Sequence, residues 1–117
     1  MPARGYVNEA EDIAVRFLRA SEITVLSRND RRFGAEMDIV GRPKGEGELC
    51  IFEVKQWQKN AAFPAVSAAQ RKRLAAAIGS LEGEAGSRLP VVLYALLVNT
   101  TRQSICLVPL ADYSGTC

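Results

Sequence analysis

Apolar residues follow two periodicities along the chain, one typical of helices and one typical of strands. From residue 8 to residue 20 they recur at three- and four-residue spacing, and Asn8 is placed to cap a helix. A second segment begins at another capping residue, Ser67, and carries its helical pattern to Leu81. The pattern therefore predicts two helices, the first clearly amphipathic.

Five short stretches are rich in β-branched and aliphatic residues, which favour strands. They span 23–28, 37–40, 49–55, 91–99 and 104–109. Asn29 and Asp30 supply turn chemistry after the first strand, and a loop with Pro43 and two glycines predicts a hairpin between the second and third. The order α-β-β-β-α-β-β predicts an α/β fold with a central mixed sheet flanked by helices. The stretch 91–98 is apolar on both faces, so we expect it in the middle of the sheet.

The composition is that of an ordinary soluble globular protein. The 117 residues are 48% hydrophobic and 24% charged, and we expect a single domain over residues 1–117. No apolar run approaches the roughly 20 residues of a membrane helix, and the N-terminal segment does not resemble a signal peptide. The three cysteines have no CxxC spacing and histidine is absent, which argues against a zinc site. We expect a cytoplasmic protein with reduced cysteines.

The net charge of +2 is too small to indicate nucleic-acid binding by itself. Local basic clusters are present at Arg28, Arg31 and Arg32, at Arg42 and Lys44, and at Arg71, Lys72 and Arg73. Each cluster is compatible with a solvated face and with a phosphate-binding patch.

The predicted hairpin carries ionisable residues where buried strands normally carry apolar ones. Because side chains alternate across a strand, Ile51, Glu53 and Lys55 should share one face of the third strand. If the second and third strands pair, Asp38 lies near Glu53, and Glu36 flanks the pair as an outward-facing acid. Two carboxylates and an ammonium group then converge at one end of the sheet.

Two carboxylates held side by side repel each other, and such pairs normally persist around a cation. Asp38 and Glu53, with the backbone carbonyl of Val54, would suit Mg²⁺ and leave most of its octahedral shell to water and a substrate phosphate. Lys55 would then orient or deprotonate a water molecule, or stabilise an anionic transition state. The alternative is a set of surface ion pairs, each worth about 1 kcal/mol or less.

Asp38 followed by Glu53-Val54-Lys55 resembles the PD-(D/E)XK nuclease signature of the restriction-endonuclease-like fold. A longer series of features resembles the YraN-like family of predicted endonucleases over most of residues 5–81. These features are Glu11 in the first helix, Arg28-Asn29, the segment 34–40, the segment 52–55 and a basic second helix. In that family the position of Trp57 often holds a basic residue, so Trp57 is either a base-stacking platform or a partly buried loop anchor.

The resemblance implies roles for residues that the hairpin alone does not indicate. In the related archaeal Holliday-junction resolvases the acid of the first helix joins the metal site, which implies the same for Glu11. The alternative for Glu11 is a first-turn acid that interacts with the helix dipole. In the superfamily a polar residue of the second helix often lies beside the lysine, a role that falls here to Gln70 or Lys72, unless both are simply solvated.

The implied activity is endonucleolytic hydrolysis of DNA phosphodiester bonds, linear or branched, with Mg²⁺ as cofactor and Mn²⁺ as a substitute. A homodimer could serve to cut two strands. The residues that would meet phosphates are Arg28, Arg31, Arg32, Lys59, Arg71 and Lys72. Two alternatives remain open: a catalytically silent nuclease-fold module that binds DNA or a protein, and a structural domain whose hairpin charges form an ion-pair network.

Overall fold

Five strands and two helices follow one another in the predicted order. The computed structural model describes residues 9–31, 36–45, 47–58, 67–84 and 90–110. The elements are α1 (Glu9–Ala20), β1 (Ile23–Asp30), β2 (Met37–Pro43), β3 (Leu49–Gln56), α2 (Ala68–Glu84), β4 (Val91–Asn99) and β5 (Ser104–Pro109). The predicted α/β class and the order α-β-β-β-α-β-β are confirmed.

The strands form one mixed sheet in the order β1-β2-β3-β4-β5. β3 and β4 run parallel and are connected through α2, whereas the other neighbouring pairs are antiparallel. The strand expected in the middle, β4, is an interior strand, but the central position belongs to β3. The reason is that β1 and β2 extend the sheet on one side of β3, while only β5 lies beyond β4.

The two helices pack on opposite faces of the sheet. Phe52 of β3 lies in the cluster that includes Ile13 and Leu18 of α1. The next residue toward the N-terminus, Ile51, lies in the cluster that includes Leu74 of α2. Since successive strand residues point to opposite faces, β3 contributes to both cores and is buried on both sides.

The helix ends have local causes that the sequence already contained. α1 carries Glu9, Glu11 and Asp12 in its first turn, where negative charge is favourable. At the start of α2, Ser67 Oγ accepts a hydrogen bond from the backbone N of Gln70 at 3.0 Å, which confirms Ser67 as the cap. α2 continues to Glu84, three residues beyond the end of the helical pattern at Leu81.

Two strand boundaries differ from the prediction because long-range pairing extends them. Asp30 pairs with Met37, so Asn29 and Asp30 belong to β1 and do not follow it as a turn. Asn29 has a left-handed φ of 52° within the strand. Thr24 pairs with Arg42, which extends β2 to Pro43. In the hairpin loop Gly45 has φ of 78°, a conformation that favours glycine.

The helices, two cysteines and Trp57 bear on three further expectations. None of the described helices is long and apolar enough to cross a membrane. Cys50 is free and buried, but Cys106 is disulfide-bonded, so the expectation of reduced cysteines is wrong for Cys106. Trp57 packs against a cluster that includes Leu97, and its backbone N donates to Val98 O at 2.9 Å. Of the two alternatives for Trp57, these contacts favour the partly buried anchor.

Candidate active site

The predicted catalytic residues meet where the β2–β3 ladder ends. Ile39 and Phe52 form the last residue pair of that ladder on the side of the site. Beyond it, the side chain of Asp38 replaces a backbone partner, because the backbone N of Val54 donates to Asp38 Oδ2 at 2.8 Å. This bond fixes the Asp38 carboxylate against β3, next to Glu53.

Glu53 is a buried carboxylic acid, with 3% of its surface exposed. Gln70 of α2 donates a short hydrogen bond from Nε2 to Glu53 Oε2, which confirms that Glu53 points to the α2 face. Burial, the hydrogen bond to Asp38 and the charge of Asp38 together raise the pKa of Glu53 to about 9. Without a cation, Glu53 therefore keeps its proton near neutral pH.

Lys55 follows Glu53 by two residues and shares its face of β3, as the alternation of side chains predicts. The side chain is partly exposed. Its positive charge lowers the pKa of Glu53, against the larger effects of burial and Asp38. The ammonium group thus acts electrostatically on the carboxylate pair while it remains accessible to a ligand.

Glu11 approaches the same site from α1, which packs on the face of the sheet opposite to α2. It is 5% exposed, and burial followed by the charge of Asp38 raises its pKa. Arg28 Nη2 and Asn29 Nδ2 each lie 3.4 Å from Glu11 Oε1, and both interactions lower the pKa in opposition. Asp38 therefore lies close enough to raise the pKa of Glu11, whose carboxylate is already bound by two donors.

Asn29, which the sequence indicated as a turn residue and as part of the Arg28-Asn29 feature, lies beside the acids of the site. With its amide rotated by 180°, its nitrogen donates to Glu36 Oε2 at 3.2 Å and to Glu11 Oε2 at 3.3 Å. Its φ of 52° lies in the left-handed region. Two signals in the sequence pointed to it. Asparagine adopts this conformation more readily than most residues, and Asn29 belongs to the Arg28-Asn29 feature of the resemblance.

The residues expected to meet phosphates are not equivalent. Arg28 forms ion pairs with Glu11 at 3.4 Å and with Asp12 at 3.1 Å, and Arg31 forms one with Glu36 at 3.4 Å. Arg71 and Lys72 are exposed on α2, directly after Gln70. Arg32 and Lys59 lie outside the described residues. Much of the positive charge beside the carboxylates is thus already neutralised.

The donor set at the centre of the site suits a hard divalent cation. Two carboxyl groups in contact provide oxygen ligands, and their mutual repulsion would be relieved by a cation between them. In the part of the chain that the structure describes, no group of three or more His, Cys, Asp or Glu side chains could hold a metal. A cation here would therefore take most of its ligands from water and substrate. The Val54 carbonyl as a ligand stays a prediction.

Comparison with known proteins gives one family. A model of the uncharacterised protein family UPF0102 matches residues 10–93. The matched segment contains all the proposed catalytic residues, from Glu11 to Gln70, and it ends within β4. No curated protein matches the chain significantly.

Proposed function

Because the chain belongs to family UPF0102, the YraN-like predicted endonucleases of the restriction-endonuclease-like superfamily, we propose that it hydrolyses DNA phosphodiester bonds with the help of Mg²⁺ or Mn²⁺. One observation carries the proposal. A buried Glu53 contacts Asp38, and Lys55 lies beside it on the same face of β3. Packing two carboxyl groups together beside a lysine lowers the stability of the fold, and such clusters are typical of catalytic sites.

Asp38 and Glu53 are the residues that would hold the cation. When bound, the cation would act as a Lewis acid on the phosphate and lower the pKa of a bound water. Glu53 must release its proton to become a ligand, and the nearby positive charge of Lys55 favours the charged form. The bond from the Val54 N keeps Asp38 in place during this change.

Lys55 is the residue proposed to act on the reacting atoms. Its ammonium group would hold the attacking water or stabilise the negative charge that develops on the phosphate oxygens. The water oxygen forms a bond to phosphorus and releases a proton to solvent. The bond from phosphorus to the leaving sugar oxygen breaks, and that oxygen takes up a proton from solvent. The partial exposure of Lys55 gives a phosphate access to it.

Gln70 and Glu11 are proposed to act through the carboxylates. Gln70 fixes Oε2 of Glu53 by its hydrogen bond and so orients the carboxylate. Glu11, held by Arg28 and Asn29, adds negative charge near Asp38. This charge would favour binding of a divalent cation over a monovalent one.

The test is cleavage of labelled linear duplex, single-stranded and four-way-junction DNA with Mg²⁺ or Mn²⁺. Wild type is compared with Asp38→Asn, which can still accept the bond from Val54, and with Lys55→Ala. Cleavage by wild type that both variants lose is the expected result. Activity that survives in both variants would mean that a contaminant or another site cuts the DNA.

One observation favours a second candidate, a nuclease-fold module that binds DNA or protein without cutting. The described residues provide only two adjacent carboxylates for a cation, and no third His, Cys, Asp or Glu completes the group. This candidate predicts DNA binding by wild type with every substrate left intact. The cleavage assay and a binding assay on the same substrates separate the two functions.

A further inference from the structure

Arg42 and Lys44 differ from the arginines beside the carboxylates. Arg28 and Arg31 are bound by acids, as described above. Arg42 and Lys44 are both exposed, and within the described ranges neither has a carboxylate partner. Their positive charges are therefore available to an anionic ligand.

The two side chains border a concave surface beside the β2–β3 loop, at the end of β2 that lies away from Asp38. A shallow groove of about 460 Å³ is lined by Thr24, Arg42, Pro43, Lys44, Gly45 and Gly47. Thr24 and Lys44 also line an adjoining groove of about 390 Å³. Arg19 adds a positive charge to that second groove, and Glu22 adds a negative one. The first groove has two cations and a hydroxyl group along its wall, which suits a phosphate.

The strand register places Arg42 on the same face of the sheet as the catalytic residues. Val40 pairs with Ile51, and both pack toward α2. Arg42 is two residues beyond Val40, and Glu53 is two residues beyond Ile51, so all four share that face. α2 covers the part of this face between Arg42 and Glu53. A ligand that contacts both ends therefore passes beside α2, over the edge strand β1, where Thr24 and Leu26 are exposed.

The separation between the two ends corresponds to a few nucleotides. Arg42 is one residue past the Gly41–Cys50 pair, which places it level with Leu49, four residues before Glu53. At about 3.3 Å per residue the distance along β3 is about 13 Å. At about 3.4 Å per nucleotide along one strand of duplex DNA, this equals about four nucleotides.

We propose that Arg42 and Lys44, with Thr24, form a second phosphate-binding surface that holds the DNA backbone about four nucleotides from the scissile phosphate. The inference rests on the proposed function, because it takes DNA as the ligand. It also gives the substrate a direction, from Glu53 toward the β2–β3 loop and parallel to β3. The arginines paired with Glu11 and Glu36 then serve the site's geometry instead of the phosphates.

The test is the salt dependence of DNA binding, measured by fluorescence anisotropy with EDTA present so that no cleavage occurs. The double variant Arg42→Ala/Lys44→Ala is expected to lower the slope of log K against log salt by about 2. The control is Arg16→Ala/Arg102→Ala, which removes the same charge from two exposed positions, one on α1 and one after β4. An equal loss in the control, or no loss in the test variant, would overturn the proposal.

A cleavage arm tests the position of the surface. The side of the cut on which wild type requires flanking DNA is identified first. Duplexes are then shortened on that side, one nucleotide pair at a time, and their cleavage rates are compared. Wild type should lose activity when fewer than about four nucleotides remain, and Arg42→Ala/Lys44→Ala should be insensitive to that truncation. If the double variant lowers the salt slope as expected but wild type cuts no substrate, the proposed catalytic function fails and the binding surface stands. If wild type does not bind DNA, both fail.

Discussion

Asp38 ends the β2–β3 ladder with its side chain, because its Oδ2 accepts the hydrogen bond from the backbone N of Val54 at 2.8 Å. One carboxylate thus has a structural and a proposed catalytic role. Asp38→Asn keeps an acceptor for Val54 and should change the free energy of unfolding by less than about 1 kcal/mol, whereas Asp38→Ala should lower it by about 1–3 kcal/mol. Urea denaturation measures the difference, and both variants should be inactive in cleavage. Equal stability of the two variants would contradict the structural role.

Glu53 should make the stability of the metal-free protein depend on pH. Its pKa is raised from 4.5 to about 9, so the folded protein keeps a proton that the unfolded chain has lost. The free energy of unfolding should therefore fall as pH rises from about 5 to about 9. Urea denaturation in EDTA at three pH values tests this, with Glu53→Gln as the control. If the free energy of unfolding of Glu53→Gln depends on pH as strongly as that of wild type, groups other than Glu53 cause the effect.

Binding of Mg²⁺ at pH 7 should release close to one proton, because Glu53 must become charged to serve as a ligand. Isothermal titration in two buffers of different ionisation enthalpy gives the number of protons released. The affinity should also rise between pH 6 and pH 8. Mg²⁺ binding by wild type without proton release would show that the cation binds elsewhere.

Gln70→Ala should reduce Mg²⁺ affinity or cleavage about 10- to 100-fold, since it removes the donor that orients Glu53. Ser80→Ala, at an exposed position of the same helix, is the matched control and should have no effect. Calorimetry and cleavage rates distinguish lost affinity from lost turnover. Wild-type values for Gln70→Ala in both assays would exclude an orienting role.

Gly41→Ala should destabilise the fold by about 1–3 kcal/mol through overpacking. An added Cβ would lie 2.9 Å from Ile23 Cγ2 and 3.2 Å from Phe52 Cε2. Gly79→Ala is the control, because nothing lies within 4 Å of a Cβ there and alanine favours helix by up to about 1 kcal/mol. The free energy of unfolding, measured with denaturant, should fall for Gly41→Ala and rise for Gly79→Ala. Equal shifts would mean that packing at Gly41 is looser than the distances indicate.

The sequence by itself determined the elements and the central pair of the site. Helical spacing, a capping serine and β-branched stretches depend on neighbouring residues, so α1, α2 and the five strands could be recognised locally. Alternation along β3 likewise placed Glu53 and Lys55 on one face. The approach of Asp38 required only a hairpin, which is the simplest connection between two adjacent strands.

Tertiary structure decided the rest, because the remaining relationships join residues far apart in the chain. α2 brings Gln70 to Glu53, and α1 brings Glu11 to Arg28. Burial and the Asp38 charge, neither of which is encoded locally, raise the pKa of Glu53. The same packing neutralises Arg28, which the sequence had offered as a phosphate contact. Local patterns fix which groups are present, whereas long-range packing fixes which charges are desolvated, paired or left for a ligand.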